Sequence, residues 1–226
     1  MTYSDGAHDD LNKIIWSRKG WNSSENAAEI TEQYVSFFFG TNADDHVEDA
    51  ISGLETNWNG PIETNGSIAM TFLRWQQLEN LYPELQQNWR WQMLLLRAYY
   101  DTYIQSRKRY ERLLERKANE ILAQAPILGS GESMNLALEK VCEADRVNIA
   151  PQLRQRIKDY CEMLYHSIGL QTSVERYGAS GAERGCVLDF VDYPLNNRWW
   201  LKACSFVVLF SFLSIEFAFS GFRSNE

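Results

Sequence analysis

The chain has 226 residues, of which 45% are hydrophobic, and this is enough for one large domain or two small ones with a packed core. Its net charge of −8 argues against a general nucleic-acid binder, because such proteins attach to phosphates through an excess of Lys and Arg. The N-terminal residues contain neither the basic nor the apolar region of a signal peptide, which predicts a cytoplasmic chain.

Apolar residues recur with the helical period of 3.6 along nearly the whole chain, and alternating β-branched runs are scarce. The pattern predicts an all-α fold. Cap residues before each run, and Gly or Pro after it, indicate where the helices begin and end. The first four predicted helices run from Asp9 to near Gly20, from Ser23 or Ser24 to Phe39, from Asn42 to Trp58, and from Ser67 to Leu81.

The central predicted element is a long helix that begins near Glu84 and meets no breaker before Pro126. Its roughly 40 residues would extend about 60 Å at about 1.5 Å per residue. We expect one unbroken helix from Asn88 to Ala123. Its first half is apolar nearly all round and should be buried, with Trp89 and Tyr99 mostly inside, whereas its second half keeps a single apolar stripe.

The most basic run of the chain, SRKRYERLLERK, lies in the second half of this long helix. Glu111 and Glu115 alternate with its arginines at spacings of three and four residues, which suit ion pairs along a helix. This favours a solvated helix face over a phosphate site. Arg112 and Arg116 are therefore expected to be exposed.

Two further helices are predicted from Glu132 to about Arg146 and from Pro151 to His166, paired as in an antiparallel bundle. From Gly169 to Asn197 the helical pattern lapses into a long irregular connection. The predicted architecture is a multi-helix antiparallel bundle around the long helix, occupying residues 1–200. A hydrophobic C-terminal segment, 201–226, follows it.

This C-terminal segment has three open interpretations. Residues 203–222 are long enough to cross the roughly 30 Å of a bilayer core, which favours a membrane anchor. Glu216 lies inside this run, where a carboxylate is costly in lipid, so a buried helix packed on the long helix is the alternative. The third interpretation is a foreign tail, such as the altered reading frame of a gene fragment. The location is then cytoplasmic or membrane-associated.

Two polar segments are candidate binding sites. The first, YSDGAHDDLNK, concentrates acids with one histidine and suits acid–base or sugar-binding work, although its acids also suit a helix cap. The second, VLDFVDYPLNNRWW, places carboxylates and amides beside aromatic rings, as carbohydrate binding requires, although turn caps and core tryptophans would give the same pattern. The candidate substrate-binding residues are Asp5, His8, Asp9, Asp189, Asp192, Asn197, Arg198, Trp199 and Trp200.

Neither a metal nor a cofactor is expected. His8 has no second histidine four residues away, as a helical metal site would need. The sequence contains no glycine-rich phosphate loop and no hydrolase motif. The four cysteines lie far apart without a CxxC spacing, so they should be reduced: Cys142, Cys161, Cys186 and Cys204.

Several segments resemble a known group of proteins. The segments are YSDGAHDDLNKIIWSRKGW, EITEQYVSFFFG, LETNWNGP, NWRWQMLLLRAYYDTY, SIGLQTSVERYGA and ERGCVLDFVDYPLNNRWWL. They resemble the helical C-terminal region of large uncharacterised bacterial proteins similar to glycoside hydrolases, in which a TIM barrel comes first. The resemblance spans about Tyr3 to Leu201 and implies that the last barrel strand ends near YSDG.

The resemblance implies a helical accessory module, or a fragment, of a carbohydrate-active protein. This chain contains no barrel, so it would lack the carboxylate pair that glycoside hydrolysis normally requires and would not be an enzyme alone. Its implied partners are a carbohydrate and the missing barrel. The resemblance also implies that both polar segments lie at one polar end of the molecule. The alternative is a membrane-tethered helical module that binds another protein.

Overall fold

The structure, a computed structural model, describes residues 9–40 and 45–179. All regular secondary structure in these two ranges is helical, which confirms the predicted all-α, multi-helix fold. The elements in chain order are α1 Asp9–Trp21, α2 Ala27–Phe39, α3 Asp45–Thr56, α4 Ser67–Leu81, a 3-10 helix Pro83–Gln87, α5 Trp89–Leu122, α6 Ala125–Leu128, α7 Ser130–Arg146, α8 Pro151–Ile168 and α9 Val174–Tyr177.

The described residues divide into two compact units. The first contains residues 9–40, 45–106 and 149–179, and the second contains Arg107–Asn148. The boundary falls inside α5, so the two halves of this helix belong to different units. The predicted limit of the bundle domain at residue 200 lies outside the described residues.

The core of the first unit is built around the first half of α5. Every residue from Trp91 to Tyr99 is buried, as the nearly continuous apolar sequence predicts. The indole of Trp91 meets the rings of Phe39, Trp75 and Tyr82 edge-on, at centroid distances of 5.4, 5.3 and 6.1 Å. Aromatic pairs of this geometry contribute about 0.5–1.5 kcal/mol each beyond the area they bury, so Trp91 fixes α5 against α2 and α4.

Helices α3 and α4 approach each other closely. A Cβ atom at Gly53 would lie 2.8 Å from Thr71 Oγ1, so a larger residue here would force the Thr71 side chain or the helices to shift. Trp75 Nε1 donates a 3.1 Å hydrogen bond to the carbonyl oxygen of Ala50 across the same interface. The start predicted for α3, Asn42, lies outside the described residues. The apolar residues predicted on its inner face are buried: Val47, Ala50, Ile51 and Leu54.

The prediction that α3 extends to Trp58 is wrong. The helix ends at Thr56, and Trp58 is 70% exposed. The early end has a cause in Asn65, whose Nδ2 donates hydrogen bonds of 3.0–3.1 Å to the carbonyl oxygens of Thr56, Asn57 and Asn59. The side chain thereby satisfies carbonyl groups at the end of α3 and draws the following residues into a turn.

Two helices begin later than predicted because an asparagine caps each of them. The α2 helix begins after Asn26, whose Oδ1 accepts a 3.1 Å hydrogen bond from the second helical N–H, and not after Ser23 or Ser24. The α5 helix begins after Asn88, whose Oδ1 accepts a 2.9 Å bond from the second helical N–H, and not near Glu84. A side-chain acceptor at this position is worth about 1 kcal/mol to a helix.

The other helix limits lie close to the predicted ones. Helices α1, α4, α7 and α8 begin and end within about two residues of the expected positions. Gly169 adopts the left-handed conformation, with φ of 68°, that ends α8. The unbroken helix expected from Asn88 to Ala123 is present from Trp89 to Leu122, which confirms it apart from one residue at each end.

The second unit has a small apolar core. Ala118 of α5 packs with two residues of α7, Ala137 and Val141, while Ile121 and Leu122 pack against them. This agrees with the single apolar stripe predicted for the second half of α5. The side chains where the two helices meet are small, as at Ala118 and Ala137.

The prediction that SRKRYERLLERK forms a solvated helix face is correct for only part of this run. Arg112 and Arg116 are exposed as predicted. Arg107 and Glu111 instead form a buried ion pair, with Nη2 3.2 Å from Oε1 and side-chain exposures of 8% and 3%. Arg107 lies about two turns and Glu111 about one turn before Leu114 on the same helical face, so both continue the buried stripe.

Within residues 9–40 and 45–179, no helix combines the length and the apolar character needed to cross a membrane. The C-terminal segment 201–226, with its three open interpretations, lies outside this part of the chain. Of the irregular connection predicted from Gly169 to Asn197, the described part ends at residue 179 and includes the short helix α9.

Candidate functional site

The predicted binding residues fall mostly outside the part of the chain that the structure describes. Asp9 is the first residue of α1. The other eight lie outside: Asp5, His8, Asp189, Asp192, Asn197, Arg198, Trp199 and Trp200. Their grouping at one polar end of the molecule therefore stays a prediction, and the site is built from the residues that follow Asp9.

Asp10, the residue after Asp9, is the centre of a group that joins three helices. Its Oδ2 accepts a 2.9 Å hydrogen bond from the hydroxyl of Tyr34 on α2. The same oxygen lies 2.7 Å from Nε of Arg90 on α5 and accepts a hydrogen bond from it. We call Asp10, Tyr34, Phe38, Trp89 and Arg90 the Asp10 cluster.

The guanidinium of Arg90 is stacked on two aromatic rings. Its Cζ atom lies 3.8 Å from the centroid of the Phe38 ring and 4.0 Å from that of Trp89. The prediction that Trp89 is mostly buried is wrong, because this residue is only half-buried. Trp89 is the first residue of α5, just before the helix enters the core, and its ring contacts the guanidinium of Arg90. Cation–π contacts of this kind fix the plane of the guanidinium.

The polar groups of the Asp10 cluster are partly accessible to solvent. The side chains of Asp10 and Arg90 retain 27% and 23% of their accessible surface. The hydrogen bond of Arg90 to Asp10 is made through Nε. Burial, followed by the neighbouring charge of Asp10, raises the pKa of Tyr34 far above its usual range. The Tyr34 hydroxyl is therefore a permanent donor to Asp10.

A second group, the Glu79 cluster, has similar chemistry but is buried. Glu79 on α4 is 7% exposed and accepts hydrogen bonds from Tyr99 at 2.8 Å and Tyr160 at 2.5 Å. Arg156 on α8 donates to the same carboxylate. Burial by itself would raise the pKa of Glu79, but the three hydrogen bonds outweigh it and the pKa is lowered. The cluster joins α4, α5 and α8 and offers little carboxylate surface to a ligand.

A third group supports the exposed ring of Trp58. The ring lies over the guanidinium of Arg97, with Cζ 4.4 Å from its centroid. Asp101 Oδ1 accepts a 2.8 Å bond from Arg97 Nε, and its Oδ2 accepts one of 2.8 Å from Asn57. Arg97, Asp101 and Asn57 are buried, whereas Trp58 is exposed. The group therefore attaches the turn after α3 to α5, and the indole of Trp58 is its exposed part.

Sequence reasoning placed Asp9 near the site but missed the partners of Asp10. Tyr34 and Arg90 are 24 and 80 residues away in the chain, and no local spacing connects them. One signal was available: Arg90 lies between Trp89 and Trp91 at the start of a largely apolar helical segment. A charge in that position requires a partner.

Within the described residues, no group of three or more His, Cys, Asp or Glu side chains is arranged to hold a metal ion. Neither Cys142 nor Cys161 is part of a disulfide, and Cys161 is buried. Comparison of the chain with protein-family models, with curated proteins and with solved structures finds no match.

Proposed function

We propose that this chain is a helical accessory module of a carbohydrate-active protein and that the Asp10 cluster is part of its sugar-binding surface. The observation that supports the proposal is the meeting of a half-buried carboxylate, a partly accessible arginine and two aromatic rings. The site lies directly after Asp9, in the polar N-terminal segment.

The chemistry of this cluster suits a sugar. Hydroxyl groups of a sugar donate to a carboxylate such as Asp10 and accept from donors such as the Nη groups of Arg90. The apolar face of a pyranose packs on an aromatic ring, and Trp89 and Phe38 supply rings that are only half-buried. Because Arg90 is already stacked and oriented, little side-chain freedom would be lost on binding.

The proposal is for binding without catalysis. Hydrolysis of a glycosidic bond normally needs two carboxyl groups in defined positions, and the Asp10 cluster contributes one. Asp10 also accepts two hydrogen bonds through the same oxygen and so acts as an ion-paired acceptor. A barrel partner would supply the reacting groups, as the resemblance implies.

Calorimetric titration of the full chain with neutral and acidic oligosaccharides tests the proposal. Substitution Arg90→Lys keeps the charge but removes the planar group with its outer donors, and we expect it to weaken sugar binding at least about tenfold. The matched control is Arg74→Lys, since Arg74 forms a 3.1 Å ion pair with Asp49 on the surface of α3 and α4.

Three results would count against the proposal. The first is the absence of binding heat from any sugar with the unmodified chain. The second is an Arg90→Lys variant that binds as tightly as the original. The third is an equal loss in the Arg74→Lys control, which would indicate a general effect of surface charge.

A further inference from the structure

The turn after α3 carries a tryptophan ring that is both exposed and held in one orientation. Trp58 is 70% exposed, yet one face of its indole lies over the guanidinium of Arg97, with Cζ 4.4 Å from the ring centroid. A stacked guanidinium restricts how the ring can tilt. The opposite face of the indole is therefore presented to solvent as a flat apolar surface.

The support beneath the ring is itself fixed by hydrogen bonds. Arg97 is buried, and its Nε donates a 2.8 Å hydrogen bond to Asp101 Oδ1. Asp101 Oδ2 accepts another of 2.8 Å from Nδ2 of Asn57, the residue before Trp58. The ring and its support are therefore connected through the backbone of the turn as well as through the stacking contact.

The far side of the turn is also attached to α5. Nε2 of Gln105 donates hydrogen bonds of 2.7 and 2.8 Å to the carbonyl oxygens of Ile62 and Asn65. Because the turn is held at both sides, the indole of Trp58 has its orientation before any ligand arrives, and little freedom would be lost on binding.

Stability alone does not explain this arrangement. Removing the ion pair of Arg97 and Asp101 from water costs much of what their attraction gains, so such pairs add little to the stability of a fold. Among the described residues, no acceptor lies within hydrogen-bond distance of the buried Nη2 atom of Arg97, which costs further free energy. The ring of Trp58 gains little from burial, because most of it stays in water. What these costs achieve is the orientation of one exposed indole.

We infer that the outer face of Trp58 is a second carbohydrate-binding site, which takes the apolar face of a neutral sugar ring. Asp101 balances the charge of Arg97, so the site offers no net positive charge to an acidic sugar. A ring that anchors a protein partner lies within a larger apolar patch. The exposed residues of this turn are instead mostly polar, as the hydroxyl rim of a sugar requires: Thr56, Asn59, Gly60, Pro61 and Thr64.

The inference shares its ligand class with the proposed function and rests on it to that extent. It does not rest on the Asp10 cluster, because the two sites have no residue in common. Trp58 would contact the sugar, whereas Arg97 is a positioning residue that acts through the ring.

NMR signals of the indole N–H groups test the site in the full chain. The signal of Trp58 is the one that disappears in Trp58→Phe. The probes are neutral hexasaccharides of the cellulose, xylan, mannan and chitin types, with a hexasaccharide of galacturonic acid as the acidic probe. We expect a neutral probe to shift the Trp58 signal in the original chain and also in Arg90→Lys. Without sugar, relaxation of the same signals should show a rigid Trp58 indole and a mobile indole at Trp21, which is 94% exposed.

Calorimetric titration with the neutral probe measures what the ring contributes. In the Arg90→Lys background, where the Asp10 cluster is weakened, Trp58→Ala should reduce the affinity at least about tenfold. Trp58→Phe keeps a smaller ring and should lose less. The matched control is Trp21→Ala in the same background, which should leave the affinity unchanged.

Several outcomes would overturn the inference. These are a Trp58 signal that no probe shifts, an affinity that Trp58→Ala does not change, a shift with the acidic probe alone, and a Trp58 indole as mobile as that of Trp21. A shift with a proline-rich peptide and with no sugar would assign the ring to a protein partner. If Arg90→Lys alone lowers sugar affinity, only this inference fails. If Trp58→Ala alone lowers it, the role proposed for the Asp10 cluster fails instead.

Discussion

The Asp10 and Glu79 clusters contain the same types of group, but they differ in how much of their bonding capacity is used. Each has a carboxylate that accepts from tyrosine and from arginine. Glu79 takes three side-chain donors within the core and is 7% exposed. Asp10 accepts from two side-chain donors at the edge of solvent, where its own side chain is 27% exposed and that of Arg90 is 23% exposed. The carboxylate of the Glu79 cluster is therefore enclosed by the fold, whereas that of the Asp10 cluster remains accessible to solvent.

The largest expected difference in stability between the clusters comes from deleting the buried carboxylate. Substitution Glu79→Ala leaves the hydroxyls of Tyr99 and Tyr160 without their acceptor and removes the ion-pair partner of Arg156. We expect a loss of about 3 kcal/mol in the free energy of unfolding, measured by urea denaturation. The control Glu139→Ala, at an exposed position of α7, should change it by less than about 0.5 kcal/mol. A loss below about 1 kcal/mol at Glu79 would remove the contrast between the two clusters.

The pH dependence of stability should identify the same carboxylate. Because the folded-state pKa of Glu79 lies below its unfolded value, the folded protein binds fewer protons there. Its contribution is complete above the unfolded pKa of about 4.3 and is lost as the pH falls through the lower folded value. The stability difference between the original chain and Glu79→Gln should therefore shrink as the pH falls below about 4. A difference that stays constant down to the lowest pH at which the chain folds would contradict this assignment.

A pair of matched substitutions, Tyr160→Phe and Tyr34→Phe, compares the two clusters directly. Each removes one hydroxyl that donates to a carboxylate. We expect losses of about 2 kcal/mol at Tyr160 and about 1 kcal/mol at Tyr34, because water can replace the donor more easily at the half-exposed Asp10. Thermal and urea unfolding would both report the difference. A larger loss of stability in Tyr34→Phe than in Tyr160→Phe would contradict the prediction, because the Asp10 cluster would then contribute more to the fold than the Glu79 cluster.

Much of the fold could be predicted from local sequence. The limits of α4, Ser67 to Leu81, follow from its helical period and from the proline that comes next. The length of α5 follows from the absence of Gly and Pro. The end of α3 could not be predicted in this way, because it depends on Asn65, which reaches back to carbonyl groups six to nine residues earlier.

Burial of charge and the candidate site were harder to predict. Arg107 and Glu111 have the spacing of a surface ion pair, and only the packing of the folded chain shows that they are buried. Asp10 and Arg90 are 80 residues apart, so their pairing is tertiary and leaves no local pattern. Asp189 and Asp192 lie outside the described part of the chain, so their predicted roles stay predictions.

The smallest expected effect on stability comes from the residue on which the proposed function depends most. Arg90→Lys keeps the charge beside Asp10 and loses only the stacking on Phe38 and Trp89, which is worth about 0.5–1 kcal/mol at a partly exposed site. Thermal unfolding should therefore change little, while sugar binding falls at least about tenfold. A stability loss as large as that of Glu79→Ala would show that the Asp10 cluster is a structural joint. A residue that only binds a ligand can be replaced with little loss of stability, whereas a residue that holds the fold together cannot. The change in thermal stability, compared with the change in sugar affinity, therefore distinguishes a binding role of Arg90 from a structural one.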